Sequence, residues 1–230
     1  MFEESKPRYI VGPLDVYGAF ALAGMLGPVV LGFADFIAAF SAAGYNPIRD
    51  SISSLALAPM GWLQTIGFLA IGLLLEVFVL GLFLGIRRGP GFGFSIGVLV
   101  CFSFGLLLVG AFQTDPYGAP RTLEGLIHSV TSYFVFGAFP VACFLIAPSL
   151  RRDPYWKGLS RYTIAAGILG LVLIIASVWL RNMSWYGLYQ RILVANMVMW
   201  IEIMAIWLMR LSLSLRLKSI QQGKTEPQSR

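Results

Sequence analysis

The sequence predicts an all-α membrane protein, a bundle of six transmembrane helices, and three observations carry that prediction. Only 12% of its 230 residues are charged while 57% are hydrophobic, against roughly 25% charged in a soluble domain. Mean hydropathy is +0.77. The apolar residues also fall into six separate stretches, each near the roughly 20 residues that cross a hydrocarbon core. Inside lipid only helices and closed barrels satisfy their own backbone. These stretches are continuous rather than alternating, so they are helices.

The elements follow in order. The first span covers 16–41 and contains Pro28. Ahead of it, MFEESKPRYIVGPLD lacks the basic, apolar, small-residue order of a cleaved signal, so the first span is expected to be retained. The loop at 45–61 reads YNPIRDSISSLALAPMG. Asn46 suits a helix N-cap and Pro47 a first helical position. Ile48, Ile52 and Leu55 then recur at helical spacing, which predicts a short helix in the membrane interface. Pro59 and Gly61 stop it. Further spans are expected at 62–86, 92–112, 124–148, 160–180 and 188–211. Residues 1–211 thus form the transmembrane domain, and 212–230 a basic cytoplasmic tail. Small residues mark expected helix contacts, because lipid gives helices no hydrophobic reason to associate. They are Gly93, Gly97, Cys101 and Gly105 on the third span, Gly81 and Gly85 on the second, and Ala166 and Gly170 on the fifth.

Charge gives the expected orientation. The net charge is +6, from 17 Lys+Arg and 11 Asp+Glu. On alternate sides of the six spans, 13 of the basic residues share one face; Arg49, Arg121, Arg181 and Arg191 occupy the other. The positive-inside rule places both termini in the cytoplasm, in a multi-pass protein of the cell membrane. This topological account of the basic charge removes the reason to invoke nucleic acid. Membrane lipids are the expected partners, and further copies of the chain are candidates.

Ionisable groups in a bilayer need an account. At the outer ends of the spans stand Asp35, Gln64, Glu124, His128, Arg191 and Asn196, and the outer loops add Asn46, Arg49, Asp50, Asp115, Arg121 and Arg181. Asp35, Asp50, Asp115 and Glu124 could pair with the four arginines and simply fasten loops to helix ends. Alternatively, the group lines an outward-facing pocket. Glu124 and His128 share a helical face at a spacing of four, and Ser132 continues it. Glu76 and Glu202 lie near mid-depth with no basic residue at their level. They are either neutral acids bonded locally or a proton-sharing pair.

Several chemistries are excluded. Cys101 and Cys143 lie inside apolar spans without a CxxC. Lys6, Lys157, Lys218 and Lys224 all lie outside the spans, which leaves no retinal Schiff base. The single histidine, His128, rules out bis-histidine haem within one chain and a histidine-rich zinc site. No cofactor or metal is expected. Asn182-Met183-Ser184 matches a glycosylation acceptor but sits too near the membrane surface to weigh.

Three motifs resemble those of the prokaryotic membrane family called domain of unknown function nine-nine-eight: NPIRDSISSLALAPMGWLQTIGF, then FQTDPYG with LIHSV, then GLYQRI with the apolar run to Trp200. The resemblance runs from the first span to the sixth and implies a six-helix bundle. The family's recurrent polar positions match Asn46, Arg49, Asp50, Ser53, Asp115, His128 and Arg191. Members often carry an acid where this chain has Ser54, and Glu where it has Gln190. The chain also looks distantly similar to autophagy-modulator-like membrane proteins, which are linked to lipid handling.

Three functional readings follow. The leading one is a lipid- or amphiphile-binding protein whose outer polar cluster takes a headgroup, with Arg49 and Arg191 on its anionic part. The second is a membrane enzyme on an outer-leaflet lipid or isoprenoid. There His128 is the acid/base, oriented by Asp115 or Glu124, with Asp50 or Ser53 as partner. The third is a proton-coupled carrier using Glu76 and Glu202, with Pro28 as the sign of a discontinuous helix.

Overall fold

The computed structural model describes residues 16–180 and 183–225, with side chains to 217. Lys6, Arg8, Arg181, Asn182, Arg230 and the side chains of Lys218 and Lys224 therefore lie outside the described residues. Six helices form: α1 (Val16–Ser41), α2 (Gly61–Gly85), α3 (Phe92–Ala111), α4 (Leu123–Arg152), α5 (Ser160–Leu180) and α6 (Tyr186–Thr225). All six contain a stretch long and apolar enough to cross a membrane. There is no strand among the described residues. Helix α1 runs unbroken through Pro28, and α4 through Pro140 and Pro148. Helix α6 continues past 211, through the segment read from sequence as a tail, because nothing before Gly223 stops it.

The helices stand in a ring. Each packs on the next in sequence, and α6 closes on α1. Aromatic and aliphatic side chains fill the middle: Phe78, Phe102, Phe139 and Trp200 are all buried. Close approach depends on small residues, as expected for association in lipid. A Cβ on Gly81 would lie 2.5 Å from Phe20 Cβ, and one on Gly170 would lie 3.2 Å from Phe139. The expected faces on α2 and α5 are therefore contacts. The expected face on α3 is one only at Gly105, which meets Val135; Gly93 and Gly97 have open space beside them and Cys101 is exposed. Period-four spacing identifies a stripe but not the side it faces.

Two seams differ. At the end richer in Lys and Arg, called here the basic end, loops are clasped. Asp153 Oδ2 accepts from Arg87 N at 2.8 Å, and buried Trp156 donates its Nε1–H to Gly85 O at 3.1 Å. Between α5 and α6 the packing is thinner. Asn196 Nδ2 donates to Ala166 O at 3.0 Å and Trp200 Nε1 to Thr163 Oγ1 at 3.2 Å. All the buried residues of α5 lie between Ser160 and Gly170, and none lies in 171–180.

Candidate functional site

At the end opposite the basic one, called here the cap end, the first loop does not form the continuous interfacial helix expected from its spacing. It makes one turn at 47–50 and a 3-10 helix at Ser53–Leu57. Asn46 does cap the turn, its Oδ1 accepting from Ile48 N at 2.9 Å. The helix stops there because the next carbonyls are used elsewhere. Ile48 O accepts from Leu188 N at 2.9 Å and Arg49 O from Gly187 N at 3.2 Å. Those donors are first-turn N–H groups of α6, which have no partner inside their own helix. The loop is the cap of α6.

Arg191 locks this arrangement. Its Nη1 donates to Pro47 O at 2.8 Å, Asp50 O at 3.0 Å and Gly187 O at 3.2 Å. Its Nη2 donates to the Tyr45 hydroxyl and lies 3.7 Å from Asp35 Oδ1. Tyr45 donates in turn to Ser51 O at 3.0 Å; burial pushes its phenol pKa up, which keeps the donor proton in place. Arg49 and Asp50 form a fork on the outside, at 2.7 Å and 3.0 Å. The Arg49 hydrogen bonds hold the Asp50 carboxyl below the ordinary carboxylate range, and Asp50 Oδ2 also accepts from Asn46 N at 2.8 Å. Of the polar residues singled out in this loop, Asn46, Arg49 and Asp50 bond within the loop itself, and Arg191 joins them from α6.

Asp115 and His128 belong to a separate group on the α3–α4 hairpin. Asp115 accepts from the Thr122 hydroxyl at 2.7 Å and from Thr122 N at 3.1 Å. These bonds lower its pKa. Thr122 caps α4, accepting from Gly125 N at 3.0 Å. Glu124 Oε1 accepts from Gln113 N at 2.8 Å rather than pairing with an arginine. His128 is 5% exposed, with Nδ1 at 2.8 Å from Phe112 O and 3.2 Å from Val109 O. Both partners are acceptors, so Nδ1 carries the proton and caps the last turn of α3. It has no ion pair with a carboxylate among the described residues. The expected meeting of His128 with Asp50, Ser53, Asp115 or Glu124 is not made among the described residues; its Nδ1–H turns to α3 instead.

The mid-depth acids are also apart. Glu76 and Glu202 share no hydrogen bond, and Glu202 Oε2 is buried without a partner. Gln64 is wholly buried, with both amide atoms unpartnered. No group of three or more His, Cys, Asp or Glu side chains is placed to hold a metal among the described residues.

The open space lies beneath the cap, in the centre of the ring. A narrow cavity of about 40 Å³ reaches from Ser53 and Gln190 at the roof to Phe102 and Ile201 below. Its walls are almost wholly apolar; the polar side chains are Ser53, Ser132 and Gln190. Gln190 Oε1 accepts from Ile52 N at 2.8 Å, which fixes the roof to α6. The half-buried wall residues Ser132, Phe136, Val194 and Val198 belong to α4 and α6. These helices flank α5, whose 171–180 half buries nothing. Of the residues singled out from sequence as ligand-binding, Ser53 alone lines this space. Gln190 and Ser132 carried a weaker signal, one as a departure from the family pattern and one as the continuation of the His128 face.

A family model described as Protein of unknown function (DUF998) matches residues 25–207. No curated protein and no solved structure matches the chain, and the likeness to autophagy-modulator-like proteins gains no support.

Proposed function

Because the chain belongs to the DUF998 family of unknown function, its role has to be argued from geometry, and we propose that it binds a single-chain amphiphile in the cavity beneath the cap. The cap end faces outward on this reading, and the site is in the cell membrane. The observation that carries it is an apolar chamber at the ring centre with two neutral hydrogen-bonding side chains at its roof, Ser53 and Gln190, and a third, Ser132, on its α4 wall. An acyl or prenyl chain suits the apolar character of the walls; it is several times larger than the about 40 Å³ now open, so binding requires the helices to part. A hydroxyl, ester or amide head suits Ser53, Ser132 and Gln190, which can donate and accept without charge. The headgroup contact thus moves from Arg49 and Arg191, which are engaged in the cap, to the residues under it. The cover is thinnest on the α4–α6 side, where the 171–180 half of α5 has no buried residue, so this is the side on which the chamber would open.

The other two readings find less support. A membrane enzyme needs His128 beside a substrate space and an acid–base partner; His128 does not line the cavity and forms no hydrogen bond with Asp50, Ser53, Asp115 or Glu124 among the described residues. A carrier needs a water path to mid-depth, and the cavity walls there are Ile71, Phe102 and Ile201.

Val198→Phe tests the proposal by filling the chamber from its half-buried wall. The protein in nanodiscs is loaded with a monoacylglycerol, and retention is read by native mass spectrometry. The expected result is retention by the parent chain and loss in the variant, with equal helicity. Equal retention in both removes the chamber as the site.

A further inference from the structure

A second groove lies at the basic end, between α4 and α5. Phe144, Pro148, Arg151 and Arg152 line one side and Ser160 and Ile164 the other, around an open space of about 540 Å³. On α4 the spacing 144, 148, 151/152 keeps one helical face. On α5, 160 and 164 do the same. The apolar part is therefore deeper along the helices, and the guanidinium groups stand at the loop end.

The charge at this mouth is not neutralised by the protein. Arg151 and Arg152 are exposed and form no ion pair among the described residues. Lys157 and Arg161 are exposed on the same hairpin. The acid beside them, Asp153, is 4% exposed and fully engaged: Oδ1 accepts from Tyr155 N and Oδ2 from Arg87 N, each at 2.8 Å. Its carboxylate closes the loops and forms no ion pair with Arg151 or Arg152.

The geometry points to a binding site for an anionic phospholipid drawn from the leaflet on the basic side. One acyl chain lies along Phe144, Pro148 and Ile164, and the phosphate meets Arg151 and Arg152. Guanidinium groups suit phosphate oxygens because they donate two parallel, charge-assisted hydrogen bonds. A zwitterionic lipid of equal chain length fills the apolar part equally well but brings no net charge to the mouth. Charge complementarity therefore sets the choice of occupant. This site shares no residue with the chamber beneath the cap, and the two proposals stand or fall separately.

The test uses the full chain in detergent with two probes of identical chains, dioleoylphosphatidylglycerol and dioleoylphosphatidylcholine, titrated by native mass spectrometry. The parent chain is expected to prefer phosphatidylglycerol. Arg151→Gln/Arg152→Gln is expected to weaken that lipid about thirtyfold, the effect of two basic charges near a membrane surface. Arg87→Gln/Arg88→Gln removes the same charge at the same end but outside the groove, and is expected to change it by less than about threefold. Ile164→Trp keeps every charge and fills the groove; it is expected to reduce retention of both lipids. Absence of a preference in the parent chain overturns the proposal. Equal losses from the two arginine pairs overturn it too, since the preference then belongs to the whole basic face. If the Arg151/Arg152 variant does not fold, Ile164→Trp decides: lost retention upholds the site and unchanged retention overturns it.

Discussion

Gly187→Ala probes the cap most directly. A Cβ at this position would lie 2.3 Å from Asp50 O, 2.8 Å from Asp50 N and 2.8 Å from Pro47 O. All three are backbone atoms, so no side chain can rotate away. The loop has to lift from α6. Lifting it strains or breaks the bonds from Gly187 N to Arg49 O and from Leu188 N to Ile48 O. It also pulls Pro47 O and Asp50 O from Arg191. Overpacking a tight contact costs about 1–3 kcal/mol, and each weakened backbone bond adds about 0.5–1.5 kcal/mol. A loss of about 2–5 kcal/mol follows, and at roughly 2–4 °C per kcal/mol for a chain of this size, Tm falls by roughly 4–20 °C. Thermal unfolding in detergent, read by loss of the monodisperse peak, measures it. Gly32→Ala is the control, because a Cβ there meets nothing within 4 Å; it is expected to be neutral or slightly stabilising. If Gly187→Ala melts with the parent chain, the first loop does not cap α6 as described.

Three further outcomes are expected. Gly125→Ala would place a Cβ 2.1 Å from Asp115 Oδ2, so it should release the loop at 113–122, at about 1–3 kcal/mol, and limited proteolysis should cut there first. His128→Phe keeps volume but removes the donor to Val109 O and Phe112 O; leaving those carbonyls unpaired should cost about 1–3 kcal/mol, read as a lower Tm. Acid should loosen both loops, because Asp50 and Asp115 have lowered pKa values in the folded protein. That contribution is complete above about pH 4, the ordinary carboxylate value, and is lost as pH falls through the lower folded values. Asp50→Asn/Asp115→Asn should flatten the Tm profile below pH 4, and an unchanged profile would assign the acid sensitivity to other groups.

The six helices were legible because hydropathy is a local property, and each span carries its own signal. Sidedness within a span was less legible. Gly81 and Gly93 belong to similar stripes, yet Gly81 touches Phe20 while Gly93 has open space beside it. Only the ring order of the helices distinguishes them. The first loop misled for a different reason. Its apolar spacing at Ile48, Ile52 and Leu55 is helical, but its carbonyls serve residues some 140 positions away. No local pattern reports that demand. The polar residues singled out gather at one end of the bundle, but a shared end does not make a shared site. Arg191 turned toward the first loop and His128 toward the end of α3. Gln190, beside the more conspicuous Arg191, proved to be the side chain that touches both the cap and the cavity.

The charge arrangement of the cap bears on what the chamber can hold. Arg191 is half-buried and already faces three carbonyls, a phenol and Asp35. A second anion below the cap would compete with Asp35 for a guanidinium whose donors are taken. It would do so in apolar surroundings, where an unpaired charge is costly. A cation in the chamber would meet only hydroxyl and amide oxygens among the lining polar side chains. A neutral head escapes both penalties, because the Ser53 and Ser132 hydroxyls can turn to suit a donor or an acceptor and Gln190, its Oε1 held by Ile52 N, still offers its amide N–H. On the proposed reading, the guanidinium that holds the first loop on α6 therefore favours an uncharged amphiphile in the chamber. Replacing Gln190 by Glu would change this, since a carboxylate cannot serve as a neutral donor.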